Sequence, residues 1–262
     1  MSNIEKLIGV MAQLRDPKQG CPWDLEQSFE TIVPHTLEEA YEVAETIENG
    51  DISELCDELG DLLFQVVFYA RLAEEKGLFG FTQIVDGIVD KLVRRHPHVF
   101  GDETIKDAEA QTRAWESHKA RERADKSGDV GTLAGIANAL PALTRAVKLQ
   151  KRAAQVGFDW PTITPVFDKI LEEIDEVKQE IDIENNKQRI EEEIGDLLFA
   201  CTNLARHAHV NPESALRRSN RKFENRFSQM EAIAAENALV IDHLKIDQWE
   251  QLWNQVKIEE KS

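Results

Sequence analysis

An all-α fold, built as a tandem repeat of two helical bundles, is what this sequence predicts, and three observations lead there. Apolar side chains recur with a helical period, most clearly from Asp57 to Leu72, among residues that are good helix formers. Nowhere does the dense Val, Ile and Thr alternation that marks strands occur. The chain also repeats itself. Leu37-Glu38-Glu39-Ala40-Tyr41-Glu42-Val43 matches Leu171-Glu172-Glu173-Ile174-Asp175-Glu176-Val177, and Glu58-Leu59-Gly60-Asp61-Leu62-Leu63-Phe64 matches Glu193-Ile194-Gly195-Asp196-Leu197-Leu198-Phe199, in the same order.

Breakers punctuate the elements. In the first copy Gly20 and Pro22, Pro34, Asn49-Gly50, Gly77 and Gly80, and Pro97 are expected to fall between helices; in the second, Pro141, Gly157, Pro161, Pro165 and Pro212 do so. Each copy then reads as four or five helices. Upstream of the acidic segments, Arg15 and Trp23 correspond to Arg152 and Trp160; downstream, Lys91 and Arg95 correspond to Lys222 and Arg226, and Trp115 to Lys119 corresponds to Trp253 to Lys257. Between the copies, residues 124–132 are short, polar and contain two glycines, a linker composition. The expected division is a first domain over 1–125, a linker over 126–132 and a second domain over 133–262.

A length of 262 residues suffices for two domains that each bury a core. With 42% hydrophobic and 31% charged residues the composition is that of a soluble globular protein. The net charge of -18 argues against nucleic acid or an anionic membrane as the main partner, because both attract basic surfaces. Cys21, Cys56 and Cys201 are odd in number and lack metal-site spacing, which suits core thiols in a reducing compartment. The first residues carry no apolar signal region, and the apolar run from Leu62 to Ala70 is too short to span a bilayer, so a cytoplasmic protein is expected.

The chemistry lies in the repeated acids. Residues three or four apart share a helix face, so Glu173 with Glu176, and Glu193 with Asp196, each present two carboxylates side by side. Two such helices packed together make a four-carboxylate site. Crowded carboxylates repel and are costly to bury, unless a cation holds them, and an all-oxygen set favours Mg2+ or Mn2+. Any one acidic pair is more simply a solvated helix face. The apolar run Leu197-Leu198-Phe199-Ala200 directly after Asp196, and the second copy upstream, favour the metal site.

Glu172-Glu173-Ile174-Asp175-Glu176, followed after sixteen residues by Glu193-Ile194-Gly195-Asp196, resembles the EExxE and ExxD signature of the MazG nucleoside triphosphate pyrophosphohydrolases, an all-α family. Gly20-Cys21-Pro22-Trp23-Asp24 and Arg94-Arg95-His96-Pro97-His98-Val99-Phe100 are similar to segments of its two-domain bacterial members. The resemblance implies hydrolysis of a nucleoside triphosphate between the α and β phosphates, with Mg2+ (or Mn2+ in its place) on Glu173, Glu176, Glu193 and Asp196. It also implies a homodimer. Glu172 points about 100° away from Glu173 around the helix, which suits orienting a water. Lys169, Arg189, Glu192, Lys222, Arg226 and Trp253 are the expected substrate-side residues: Lys222 and Arg226 share a helix face that can clamp phosphate, and Trp253 can stack a base. Equally, Lys169 and Arg189 can serve only to neutralise nearby carboxylates, and Trp253 can be a core anchor.

Glu39, Glu42, Glu58 and Asp61 remain capable of holding metal in the first copy, but His35 stands in the place of Lys169 and Glu54 in the place of Arg189. The second half is therefore expected to be the principal catalyst. Two rivals stand beside this reading. A di-iron carboxylate protein would want Glu-x-x-His where both copies have Glu-x-x-Asp; a nucleotide sensor or adaptor would bind without turnover. His96-x-His98 and His207-x-His209 lack further ligands at zinc spacing and read as loop or surface histidines. No glycine-rich phosphate loop is present.

Overall fold

The computed structural model describes residues 2–102, 107 and 131–260. These are helical throughout, with no strand among the described residues. The chain divides into two compact units, Met1–His118 and Lys119–Ser262. The expected Trp115–Lys119 segment and residues 126–130 of the expected linker lie outside the described residues. No described helix is long and apolar enough to cross a membrane.

In the first unit, α1 (Asn3–Leu14) starts at a capping box, in which the Ser2 hydroxyl accepts from the Glu5 amide while the Glu5 carboxylate accepts from the Ser2 amide. After the short α2 (Pro22–Glu26), α3 (Phe29–Asn49) is capped by Ser28 and stops at Gly50, whose φ of 77° is the left-handed conformation that glycine adopts without a Cβ penalty. One expectation fails here. Pro34 does not separate two helices but lies inside α3. Its ring removes the bond that would go to the Glu30 carbonyl, a loss the helix survives because Ser28 secures its start and Ile32 is buried against the core.

The central helix of this unit is α4 (Leu55–Glu75), against which α1, α3 and α5 (Phe81–Arg95) pack; α6 (Pro97–Phe100) follows α5. Met11, Ile32, Val67, Phe68 and Leu72 form the core. Arg15 is buried beside it, with Nε and Nη2 on the two oxygens of Glu75 at 3.0 and 2.7 Å and its guanidinium 5.5 Å from the Phe68 ring centre.

The second unit repeats the scheme. Its helices are α7 (Ala142–Gln155), α8 (Thr164–Ile181), α9 (Lys187–His207), α10 (Pro212–Glu236) and α11 (Ile246–Glu259). Proline marks their starts: Pro141 caps α7, and Pro165 and Pro212 sit in the first turns of α8 and α10, where a missing N–H costs nothing. α8 packs along α9, α7 touches both α9 and α10, and α11 covers α10 through Met230, Ala234, Leu252 and Val256. Arg206 and His207 at the end of α9 both reach Asp159 in the loop after α7, His207 Nε2 at 3.1 Å. His207 is thus largely enclosed, 12% exposed, rather than a surface residue as its sequence context suggests. Arg206 first, then His207, holds the Asp159 carboxyl below its ordinary range.

Candidate metal and phosphate site

In each unit the two acidic segments fall on neighbouring helices, α3 with α4 and α8 with α9, and their carboxylates meet. Glu173, Glu193 and Asp196 bring oxygens within 4.8 Å of one another, as do Glu39, Glu58 and Asp61. Helical spacing explains half of this. The other half is packing, since only the α8–α9 contact brings Glu173 to Glu193. Glu176 is not among the carboxylates that close to within 4.8 Å, but loss of solvent first, then the charge of Glu173, pushes its carboxyl above the ordinary range. Desolvation followed by the Asp61 charge does the same to Glu39, and desolvation followed by the Glu42 charge to Glu58. These shifts place Glu42 and Glu176 within electrostatic reach of their clusters.

The second cluster is the more enclosed. Glu173 and Glu193 are 4% and 6% exposed, while Asp196 is open to solvent. Two cations sit on it. Lys169 Nζ is 2.7 Å from Glu173 Oε1 and 2.8 Å from Glu172 Oε1, and Arg189 pairs with Glu193 at 2.5 Å and with Glu192 at 2.8 Å. Hydrogen bonds that Lys169 donates to Glu172 and then Glu173 raise its pKa above the normal lysine range. Yet Glu173 Oε2 is buried and has no hydrogen-bond partner. A buried, unpartnered carboxylate oxygen on a member of an all-oxygen cluster is what a hard divalent cation would satisfy, so the residues present fit such an ion.

Lys222, Arg226 and Trp253 gather separately, on α10 and α11. Arg226 donates to Glu260 through Nε at 3.0 Å and Nη2 at 2.6 Å, with its guanidinium 5.2 Å from the Trp253 ring centre. Trp253 packs on Phe223 and on the Met230–Val256 core. Lys222 lies one turn before Arg226, and its charge helps Arg226 hold the Glu260 carboxyl low. No hydrogen bond or ion pair joins this group to the carboxylates among the described residues.

Among the described residues no ion pair to Lys or Arg is found on Glu39, Glu58 or Asp61 of the first cluster, where His35 and Glu54 stand in the places of Lys169 and Arg189. His35 is 3.7 Å from Glu38 and edge-on to Trp23. What the sequence did not single out is Gln65, buried one turn beyond Asp61, whose Nε2 donates to Glu39 Oε1 at 3.3 Å. The signal was available: the repeat sets Gln65 against Ala200, a polar residue against an apolar one in the middle of a buried helix.

The raised carboxyls carry a pH prediction. Their folded values lie above the unfolded value of 4.5, so this contribution to stability is fully present below pH 4.5 and is lost as pH rises through the folded values. A divalent ion offsets the repulsion only when the carboxylates are charged. Addition of Mn2+ is expected to raise the melting temperature near neutral pH, with a gain that shrinks toward pH 4.5; a gain independent of pH would contradict the assignment.

Comparison with known proteins adds the relatives. A model of the MazG nucleotide pyrophosphohydrolase domain matches residues 27–100 and again 162–230, once in each unit. The chain is 50% identical to the nucleoside triphosphate pyrophosphohydrolase of Escherichia coli over 99% of both proteins. It is 40% identical to the nucleoside triphosphate pyrophosphohydrolase/pyrophosphatase MazG of Thermotoga maritima, over 97% of this chain and 95% of that protein. Against the Bacillus subtilis protein YabN it is 37% identical over 96% of its length, which covers 51% of that protein.

Proposed function

This chain belongs to the MazG nucleotide pyrophosphohydrolase family, hydrolases of phosphoanhydride bonds, and from that premise we propose that it splits nucleoside triphosphates, ATP and deoxynucleotides included, into monophosphate and pyrophosphate in a Mg2+-dependent reaction. The second unit is the principal catalyst. The observation that carries the reading is the buried Glu173–Glu193 pair beside Asp196, with one carboxylate oxygen unsatisfied and two cations alongside.

Glu173, Glu176, Glu193 and Asp196 would hold the ion. When bound, it supplies charge neutralisation on the phosphate oxygens and lowers the pKa of a coordinated water. Water oxygen adds to the α phosphorus and the bond from that phosphorus to the bridging oxygen of the β phosphate breaks, so pyrophosphate leaves. Glu172, on the exposed side of the same turn as Glu173, orients the attacking water and takes its proton. Lys169 and Arg189 are already held at the carboxylates and can transfer their hydrogen bonds to phosphate oxygens, with Glu192 positioning Arg189. Arg226 and Lys222 bind further phosphate oxygens once Glu260 releases Arg226, and Trp253 offers a ring face to the base.

Leu171 and Leu198, on the helices that carry the acids, are 60% and 53% exposed, and α5 has no buried residue although Val85, Ile88, Val89 and Leu92 line it. Apolar faces of this kind support a homodimer, which light scattering would show as twice the chain mass. A second reading applies to the first unit, where His35 and Glu54 stand in the places of Lys169 and Arg189: a binding role without turnover.

The test is pyrophosphate release from a panel of nucleoside and deoxynucleoside triphosphates, with Mg2+ and with EDTA. The reading expects pyrophosphate and monophosphate only with metal. Orthophosphate and diphosphate, or turnover that survives EDTA, would overturn it.

A further inference from the structure

Arg226 is engaged by a carboxylate of its own chain. Glu260, which caps the end of α11, sets both oxygens against the guanidinium: Nε donates at 3.0 and 3.1 Å, and Nη2 at 2.6 Å. Arginine takes the two oxygens of a phosphate in the same forked geometry, and that edge holds one such partner at a time. The pair is partly shielded from water, with side chains 17% and 32% exposed, and the guanidinium lies 5.2 Å from the Trp253 ring centre. Hydrogen bonds from Arg226, then the charges of Arg226 and Lys222, keep Glu260 ionised. Glu260 therefore stands where one anion meets both cations of the phosphate clamp. It belongs to neither acidic cluster, so holding a metal ion does not explain it.

We propose that Glu260 is an internal stand-in for phosphate, a latch that competes with the triphosphate for Arg226 and sets how tightly the second unit holds its substrate. The proposal rests on the reading of Lys222 and Arg226 as phosphate-binding cations. Substrate binding is then an exchange of one anion for another on the same fork, and the carboxylate returns when the phosphate leaves. The latch is closed in the free chain and open in both the substrate complex and the transition state. It weakens the binding of both alike, and so raises KM without touching kcat.

Glu260→Gln keeps the length of the side chain and removes its charge. It is expected to lower KM for ATP about threefold to fivefold, the range of a partly exposed ion pair, at unchanged kcat. The dissociation constant of a non-hydrolysable ATP analogue, measured by calorimetry with Mg2+, is expected to fall by the same factor. Two controls separate a latch from a general relief of negative charge. Glu259→Gln makes the same charge change one residue earlier, where the carboxylate accepts from Gln255 Nε2 at 3.0 Å, and is expected to leave KM as it was. In an Arg226→Gln background, whose KM is already raised, adding Glu260→Gln is expected to change nothing. A higher KM in Glu260→Gln would mean that the carboxylate positions Arg226 for substrate. A fall in KM that Glu259→Gln reproduces, or that persists without Arg226, would mean plain charge repulsion. Either result overturns the latch, as does an unchanged KM. A chain that binds the analogue but releases no pyrophosphate would instead sink the functional reading, and the analogue's dissociation constants would still decide among these outcomes.

Discussion

Asp196→Asn is expected to lower nucleoside triphosphate hydrolysis by more than about a hundredfold, while Asp61→Asn leaves most of it intact. The substitution keeps the size of the side chain and removes one negative charge from a cluster whose other members, Glu173 and Glu193, are buried and fixed by packing. Asp196 is the exposed member, so its loss should disturb the fold little and the ion a great deal. The asymmetry between the two substitutions follows from Lys169 and Arg189, which lie on the carboxylates of the second unit and have His35 and Glu54 in their places in the first. Steady-state pyrophosphate release on both variants decides it. Equal losses, or a loss confined to Asp61→Asn, would move the principal catalytic site out of the second unit.

Phe68→Ala is expected to destabilise the first unit by about 3–5 kcal/mol. Phe68 is fully buried at the centre of α4, packed edge-on to Phe64 and in the same cluster as Met11, Ile32 and Val67. The Arg15 guanidinium lies over its ring while bridging to Glu75, so truncation opens a cavity and also removes the surface that Arg15 rests on. Chemical denaturation followed by circular dichroism measures the loss. A change below about 1 kcal/mol would mean that this helix is not the centre of the unit's core.

Much of this architecture was legible from residue order alone. The duplicated acidic segments, the helical period and the prolines at helix starts each point to the same elements, because local propensity and burial agree there. Pro34 misled because a cap at Ser28 and burial of Ile32 outweigh one missing hydrogen bond, and both are properties of the folded helix rather than of the dipeptide. His207 misled for a similar reason: its partner, Asp159, lies 48 residues away in sequence, so nothing nearby announces the contact.

Within the site, spacing alone pairs Glu173 with Glu176 and Glu193 with Asp196, but the meeting of the two pairs depends on how α8 lies on α9. Lys169 and Arg189 were recognisable as neighbours of the acids by the four-residue rule, and the structure finds both in ion pairs with them. Arg226 was recognisable as a cation one turn from Lys222; its engagement by Glu260 was not, because that contact spans 34 residues. Gln65 was legible only as an interruption of the apolar run from Leu62 to Ala70, not as a neighbour of Glu39, although the repeat sets it against an alanine.

The most direct test of the central claim is the anomalous scattering of Mn2+ in crystals grown with a non-hydrolysable triphosphate analogue. The account predicts a peak enclosed by Glu173, Glu176, Glu193 and Asp196, in contact with phosphate oxygens. A nucleotide bound with its phosphates on other side chains, and no peak between those four carboxylates, would contradict it.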